Sequence, residues 1–204
     1  MNSFPRLYAI LDRLRFPDGP ALFSAAEELL AGGVTLLQYR NKSGNAREML
    51  EQARELKRRL GASIRLIMDD RADLCLAAGF AGVHVGQEDL SPEGARKVIG
   101  GRLWLGVSTH NPEQVREADK TSADYVAIGP VFSTSSKANP DPVVDLEGVR
   151  NARALTRKPL VAIGGINRAN CRSVIEAGAD SVAVISDLMR EPRKSAEDFF
   201  RILG

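Results

Sequence analysis

The stretch KPLVAIGGINRANCRSVIEAGADSVAVISDL, residues 158–188, decides the fold. Leu160-Val161-Ala162-Ile163 and Val182-Ala183-Val184-Ile185 are apolar at every position, with no alternation between a wet and a dry face. Strands buried on both faces read this way, and they belong to parallel sheets covered by helices. Between them, Arg168–Ala177 has helical composition and stops at Gly178, a residue type that ends helices readily. A strand, a helix and the next strand form a βα repeat.

The repeat extends along the chain. Candidate strands are Leu7–Leu11, Thr35–Arg40, Ile64–Asp70, Gly82–Gln87, Leu103–Thr109, Tyr125–Phe132, Pro159–Ile166 and Ser181–Leu188. Candidate helices are Pro20–Ala31, Asn45–Leu60, Arg71–Ala78, Pro92–Ile99, Pro112–Lys120, Leu146–Leu155, Arg168–Ala177 and Ser195–Ile202. Ser91-Pro92 and Asn111-Pro112 place proline at a first helical position, where its missing N–H costs nothing. Eight such units close most simply into a (β/α)8 TIM barrel of the α/β class, with a doubly wound open sheet as the alternative. No linker-like segment interrupts residues 1–204, so one compact domain is expected. The longest irregular segment, Ser133–Asp145, reads as an active-site loop.

The 204 residues are 44% hydrophobic and 26% charged, which excludes disordered and collagenous classes. By size scaling the folded chain should expose roughly 9,000 Å². The 28 basic and 26 acidic residues are spread along the chain, and aromatics are only 5%. A nucleic-acid partner is therefore not expected. Cys75 and Cys171 form no C-x-x-C motif and read as buried small residues of a reduced protein. No apolar run is long enough to span a bilayer and no secretory signal is visible, so no membrane partner is expected and the expected address is the cytoplasm.

Barrel sites are built at the C-terminal ends of strands. There the chain offers Gln38 to Lys42, Asp69-Asp70-Arg71, His84 to Asp89, Ser108 to His110, Thr134 to Lys137, Gly164-Gly165 and Ile185-Ser186. Gly164-Gly165 after strand seven suits a phosphate, since glycine lets backbone N–H groups approach an anion and a following helix start adds its dipole. Asp70 and Asp89 end adjacent strands, and two carboxylates with water and substrate phosphates are a usual Mg²⁺ shell. Arg40, Lys42 and Lys137 converge on the same rim, so a polyanion, most simply a diphosphate, is the expected substrate. His84 and His110 read as structural histidines. No nucleophile elbow or triad order is present.

These residues fall into ordered motifs: Leu7-Tyr8-Ala9-Ile10, Gln38-x-Arg40-x-Lys42, Asp70-Arg71, Gly82-Val83-His84-Val85-Gly86-Gln87-Glu88-Asp89, Gly106-Val107-Ser108-Thr109-His110, Gly129-Pro130-Val131-Phe132-x-Thr134-x-x-Lys137 and Gly164-Gly165-Ile166. In this order they resemble the thiamine phosphate synthase family over almost the whole chain. The resemblance implies a transferase that joins a hydroxymethylpyrimidine diphosphate to a thiazole phosphate and releases pyrophosphate. It implies that Asp70 and Asp89 hold Mg²⁺. It implies that Gln38, Tyr39, Arg40, Asn41, Lys42, Asp69, Ser108 and Lys137 contact the pyrimidine diphosphate, with Lys137, Arg40 and Ser108 closest to the chemistry. Thr134, Ser135, Ser136, Gly165, Ile185 and Ser186 would form the thiazole phosphate pocket. Asp69 stands where the family usually has Asn, Ser136 where Thr is frequent, and Tyr39 where an aliphatic residue is usual. A thiazole tautomerase and a non-catalytic phosphate-binding regulatory barrel are the rival readings. A homo-oligomer is compatible with either.

Overall fold

The computed structural model describes residues 4–134 and 141–204. Its strands are β1 (Leu7–Asp12), β2 (Leu36–Arg40), β3 (Arg65–Asp69), β4 (Gly82–Val85), β5 (Trp104–Thr109), β6 (Tyr125–Ile128), β7 (Leu160–Ile163) and β8 (Ser181–Val184). The helices are α1 (Gly19–Ala31), α2 (Ala46–Leu60), α3 (Ala72–Ala78), α4 (Pro92–Ile99), α5 (Pro112–Lys120), α6 (Asp145–Leu155), α7 (Cys171–Glu176) and α8 (Pro192–Leu203). The strands pair in parallel in sequence order, and β1 pairs with β8 to close the barrel. The accessible surface is 9773 Å², close to the value expected from size.

Strand residues alternate between two cores. Tyr8, Ile10, Leu36, Ile67, Tyr125, Ala127, Val161 and Ala183 fill the barrel interior. Their neighbours Leu7, Ala9, Leu37, Leu66, Val126, Leu160 and Val182 pack outward against the helices. This period of two dictates which side chains can reach a central cavity. At the N-terminal end, Phe4 stacks on Trp104 with ring centroids 5.2 Å apart, and the Arg65 guanidinium lies 3.7 Å from the Trp104 ring centre. That end is closed.

Helix starts follow the side-chain chemistry. Asp18, Asn45, Ser91 and Asn111 each accept a hydrogen bond from a first-turn backbone N–H of α1, α2, α4 and α5. Three strands end three or four residues earlier than the sequence suggests. β6 stops at Ile128 because Pro130 has no N–H to give a ladder. β7 stops at Ile163 because Gly164 and Gly165 take φ of 101° and 64°. β8 gives way at Ile185 to a tight turn, Ser186–Leu188. All three early endings leave irregular backbone on the same rim.

Candidate active site

A cavity of about 600 Å³ opens at the C-terminal ends of the strands. It is lined by Gln38, Arg40, Lys42, Asp69, Asp70, Asp89, Ser108, Thr134, Gly165, Ile185 and Ser186 among others. Strand parity explains the selection. Gln38 and Arg40 share the inward parity of Leu36, and Asp69 that of Ile67. Tyr39 and Asn41 do not line the cavity. Tyr39 has outward parity and donates its hydroxyl to Gln52 Oε1 at 2.5 Å, while Asn41 Nδ2 donates to Tyr39 Oη at 3.0 Å. The two anchor the loop that carries Lys42 to α2. Ser135, Ser136 and Lys137 lie outside the described residues.

One side of the mouth is densely charged. Arg40 Nη1 lies 2.7 Å from Asp12 Oδ2, and Arg40 Nε lies 3.8 Å from Asp69 Oδ2. Lys42 Nζ lies 3.1 Å from Asp69 Oδ2 and also contacts Asp70 Oδ2. Burial works against the Lys42 charge, but Asp69 and Asp70 outweigh it and hold the ammonium above its ordinary pKa. Burial and then the charge of Asp70 push the Asp69 carboxyl up, against the pull of Lys42 and Arg40. Asp70 sits just past the end of β3 with φ 58°, a left-handed conformation that Asp tolerates better than most residues. That turn brings Asp70 to the rim beside Asp69, although adjacent strand residues normally point apart.

Asp89 Oδ2 accepts from Gly86 N at 2.8 Å. Burial, followed by the hydrogen bonding and charge of neighbouring Asp70, raises the Asp89 carboxyl. Two hard oxygen donors side by side at the mouth form a site that suits a divalent cation. Among the described residues no group of three or more His, Cys, Asp or Glu could hold a metal ion.

The floor is a hydrogen-bonded chain. Gln38 Nε2 donates to Tyr8 Oη at 3.2 Å, and Tyr8 Oη lies 2.9 Å from Tyr125 Oη. Tyr125 Oη lies 3.0 Å from His84 Nδ1, and His84 Nε2 lies 2.8 Å from Ser108 Oγ. Burial pushes the His84 imidazole down to about 4, so it is neutral at physiological pH. Sequence reading left Tyr8 and His84 out of the site. The inward parity they share with Gln38 and Ser108 was the available signal.

On the opposite side, Gly164 and Gly165 are required by their neighbours. A Cβ on Gly165 would lie 2.6 Å from Ser133 O, and one on Gly164 would lie 2.5 Å from Pro130 Cα. The dipole expected from a following helix is not adjacent, because α7 begins only at Cys171. The intervening N–H groups of Asn167, Arg168 and Ala169 donate to Asn170, Asp187 and Asn167 side chains. Gln87 and His110, which the sequence places at strand ends without a role, also line the cavity, as do Asp141, from the expected active-site loop, and Asn167, which the sequence did not single out. His110 Nδ1 lies 2.6 Å from Gly129 O, and its Nε2 lies 3.5 Å from Asp141 Oδ2.

A closed parallel barrel with a charged cavity at its C-terminal strand ends belongs to the enzymes of the (β/α)8 class. The model of the family described as thiamine monophosphate synthase matches residues 7–188. The chain belongs to that family. It is 63% identical over 204 residues to a thiamine-phosphate synthase of Koribacter versatilis, covering 98% of this chain and 97% of that protein. It is 42% identical over 184 residues to one of Chloroflexus aurantiacus, covering 89% and 83% of the two chains. The solved structure of thiamine phosphate pyrophosphorylase from Pyrococcus furiosus superposes with a TM-score of 0.86 at 36% identity, covering 97% of this chain and 95% of that one. No helix among the described residues is long and apolar enough to cross a membrane.

Proposed function

We propose that this chain joins a hydroxymethylpyrimidine diphosphate to a thiazole phosphate, giving thiamine phosphate and pyrophosphate. The observation that carries the reading is the pairing of Arg40 and Lys42 with the Asp70–Asp89 couple at one mouth. Cations beside a divalent-ion site suit a diphosphate better than a single phosphate or a neutral ligand. Membership in the family supplies the identity of the two substrates.

Asp70 and Asp89 would hold Mg²⁺. When bound, the ion supplies charge neutralisation for the departing diphosphate. Arg40 and Lys42 bind the diphosphate oxygens from the protein side. Asp12 keeps Arg40 aimed at the cavity through its 2.7 Å contact. Lys137, which follows β6 in the sequence, is proposed to join them on the family resemblance. The pyrimidine then sits over the floor formed by Gln38, Ser108 and the Asp69 carboxyl. Thr134, Ser135, Ser136, Gly165, Ile185 and Ser186 are proposed to receive the thiazole phosphate.

The bond changes need no protein nucleophile. The C–O bond of the pyrimidine methylene breaks and both electrons leave on the diphosphate. The thiazole nitrogen lone pair forms the new C–N bond, and no proton is lost from either substrate. Catalysis reduces to stabilising the leaving charge and holding two rings in register. The absence of a triad in the sequence agrees with this. The test is to vary each substrate in turn with Arg40→Ala. A rise in KM confined to the pyrimidine diphosphate, with lower kcat, supports the reading, and a rise confined to the thiazole phosphate refutes the assignment of pockets.

A further inference from the structure

Tyr125 is fully buried on β6 and does not line the cavity, yet its hydroxyl sits between Tyr8 Oη and His84 Nδ1. A phenylalanine would fill the same space, so the hydroxyl calls for its own explanation. A second feature of the sequence depends on it. A Cβ on Gly106 would lie 2.3 Å from Tyr125 Oη and 2.4 Å from His84 Nδ1. Gly106 therefore leaves room for the Tyr125–His84 contact.

The direction of the chain of hydrogen bonds follows from its first member. Gln38 Nε2 can only donate, so Tyr8 Oη accepts there; among the described residues the other hydrogen-bond partner of Tyr8 Oη is Tyr125 Oη, to which we assign the Tyr8 proton. Tyr125 in turn spends its proton on His84 Nδ1. An imidazole that accepts at Nδ1 while neutral must carry its proton on Nε2. His84 Nε2–H then donates to Ser108 Oγ. The Ser108 hydroxyl proton is left to point into the cavity.

We infer that Tyr125 is a positioning residue that fixes His84 as its Nε2–H tautomer and thereby makes Ser108 a hydrogen-bond donor to the bound ring. The ligand selected is a heteroaromatic ring with an acceptor nitrogen over Ser108. This rests on the pyrimidine reading above for the identity of that ring, but the tautomer does not. Without the Tyr125 hydroxyl, His84 is free to carry its proton on Nδ1. Ser108 would then donate to His84 and turn its lone pairs toward the ligand, so two acceptors would face each other.

The test reads the two ring nitrogens of His84 by ¹⁵N NMR in the ligand-free protein, with the other histidine assigned from His110→Gln. Wild type should show a protonated Nε2 and a bare Nδ1. Tyr125→Phe, which keeps the ring and the packing, should shift His84 toward the Nδ1–H form. The same variant should raise KM for the pyrimidine diphosphate about tenfold, one hydrogen bond's worth, and leave KM for the thiazole phosphate unchanged. A wild-type His84 protonated on Nδ1 overturns the inference. So does a Tyr125→Phe protein with unaltered tautomer and unaltered KM. A wild-type Nε2–H tautomer in a protein that makes no thiamine phosphate would support the wiring and refute the functional reading.

Discussion

Asp70 and Asp89 lie side by side at the mouth of the barrel, although their strand ends reach it by different means. Asp70 gets there through a left-handed turn past β3, and Asp89 is pinned by the N–H of Gly86 at 2.8 Å. Two neighbouring carboxylates make a position that a divalent cation can occupy. Asp70→Asn and Asp89→Asn should each weaken Mg²⁺ or Mn²⁺ binding by at least about tenfold and leave the melting temperature of the metal-free protein within a few degrees. Calorimetric titration of the metal alone checks this. Unchanged affinity in both variants would remove these residues from the metal site.

The Asp69 carboxyl adds negative charge beside Asp70. Lys42 at 3.1 Å and Arg40 at 3.8 Å offset that charge. Asp69→Asn should therefore change kcat/KM by less than about tenfold, roughly 1.4 kcal/mol. A larger gain would mean that Asp69 holds the enzyme back, and a larger loss that its charge takes part in the reaction. Both are read from steady-state rates with the pyrimidine diphosphate varied.

Gly165 takes φ of 64°, and a Cβ there would meet Ser133 O at 2.6 Å. Gly165→Ala should cost about 1–3 kcal/mol of stability and displace the chain after β6. The expected kinetic outcome is a higher KM for the thiazole phosphate, with KM for the pyrimidine diphosphate little changed. Urea denaturation and substrate-varied kinetics on the same variant separate the two effects.

Much of the fold was legible because period and composition carry it. Fully apolar runs such as Leu160–Ile163 announce strands covered on both faces, and Gly178, read as the stop of its helix, does take positive φ just past α7. Inside the site, Tyr39 was expected among the substrate contacts beside Gln38 and Arg40, but its outward parity on β2 turns its hydroxyl away to Gln52; parity was the signal that could have separated them. The left-handed turn at Asp70 was not legible, because it depends on how the strand end meets His84 O, which accepts from Asp70 N at 2.8 Å. Nor was the link from Gln38 to Ser108 through Tyr8, Tyr125 and His84, whose members come from five strands. Arg168–Asn170, just before α7, was read as helix. Its side chains bond to nearby backbone, Asn170 Oδ1 accepting from Asn167 N at 2.8 Å, and such bonds compete with helix formation.

Cys75 lies in the outer core with its Sγ donating to Gly82 O at 3.1 Å. Burial pushes the thiol up to about 12. Between the ordinary thiol value and that one, the folded state binds more protons than the unfolded state, so stability falls as pH rises through this window. Cys75→Ala should flatten the alkaline part of the stability profile above about pH 9. The native wild-type thiol should also resist aromatic disulfide reagents at pH 8 until the protein unfolds. Rapid native-state labelling of Cys75 would contradict this placement.

The most direct measurement mixes the purified protein with the pyrimidine diphosphate and the thiazole phosphate, with Mg²⁺ and with excess EDTA, and follows both products by mass spectrometry. The account predicts thiamine phosphate and pyrophosphate in equal amounts with Mg²⁺, and little of either with EDTA. No thiamine phosphate in the presence of both substrates and Mg²⁺ would contradict it.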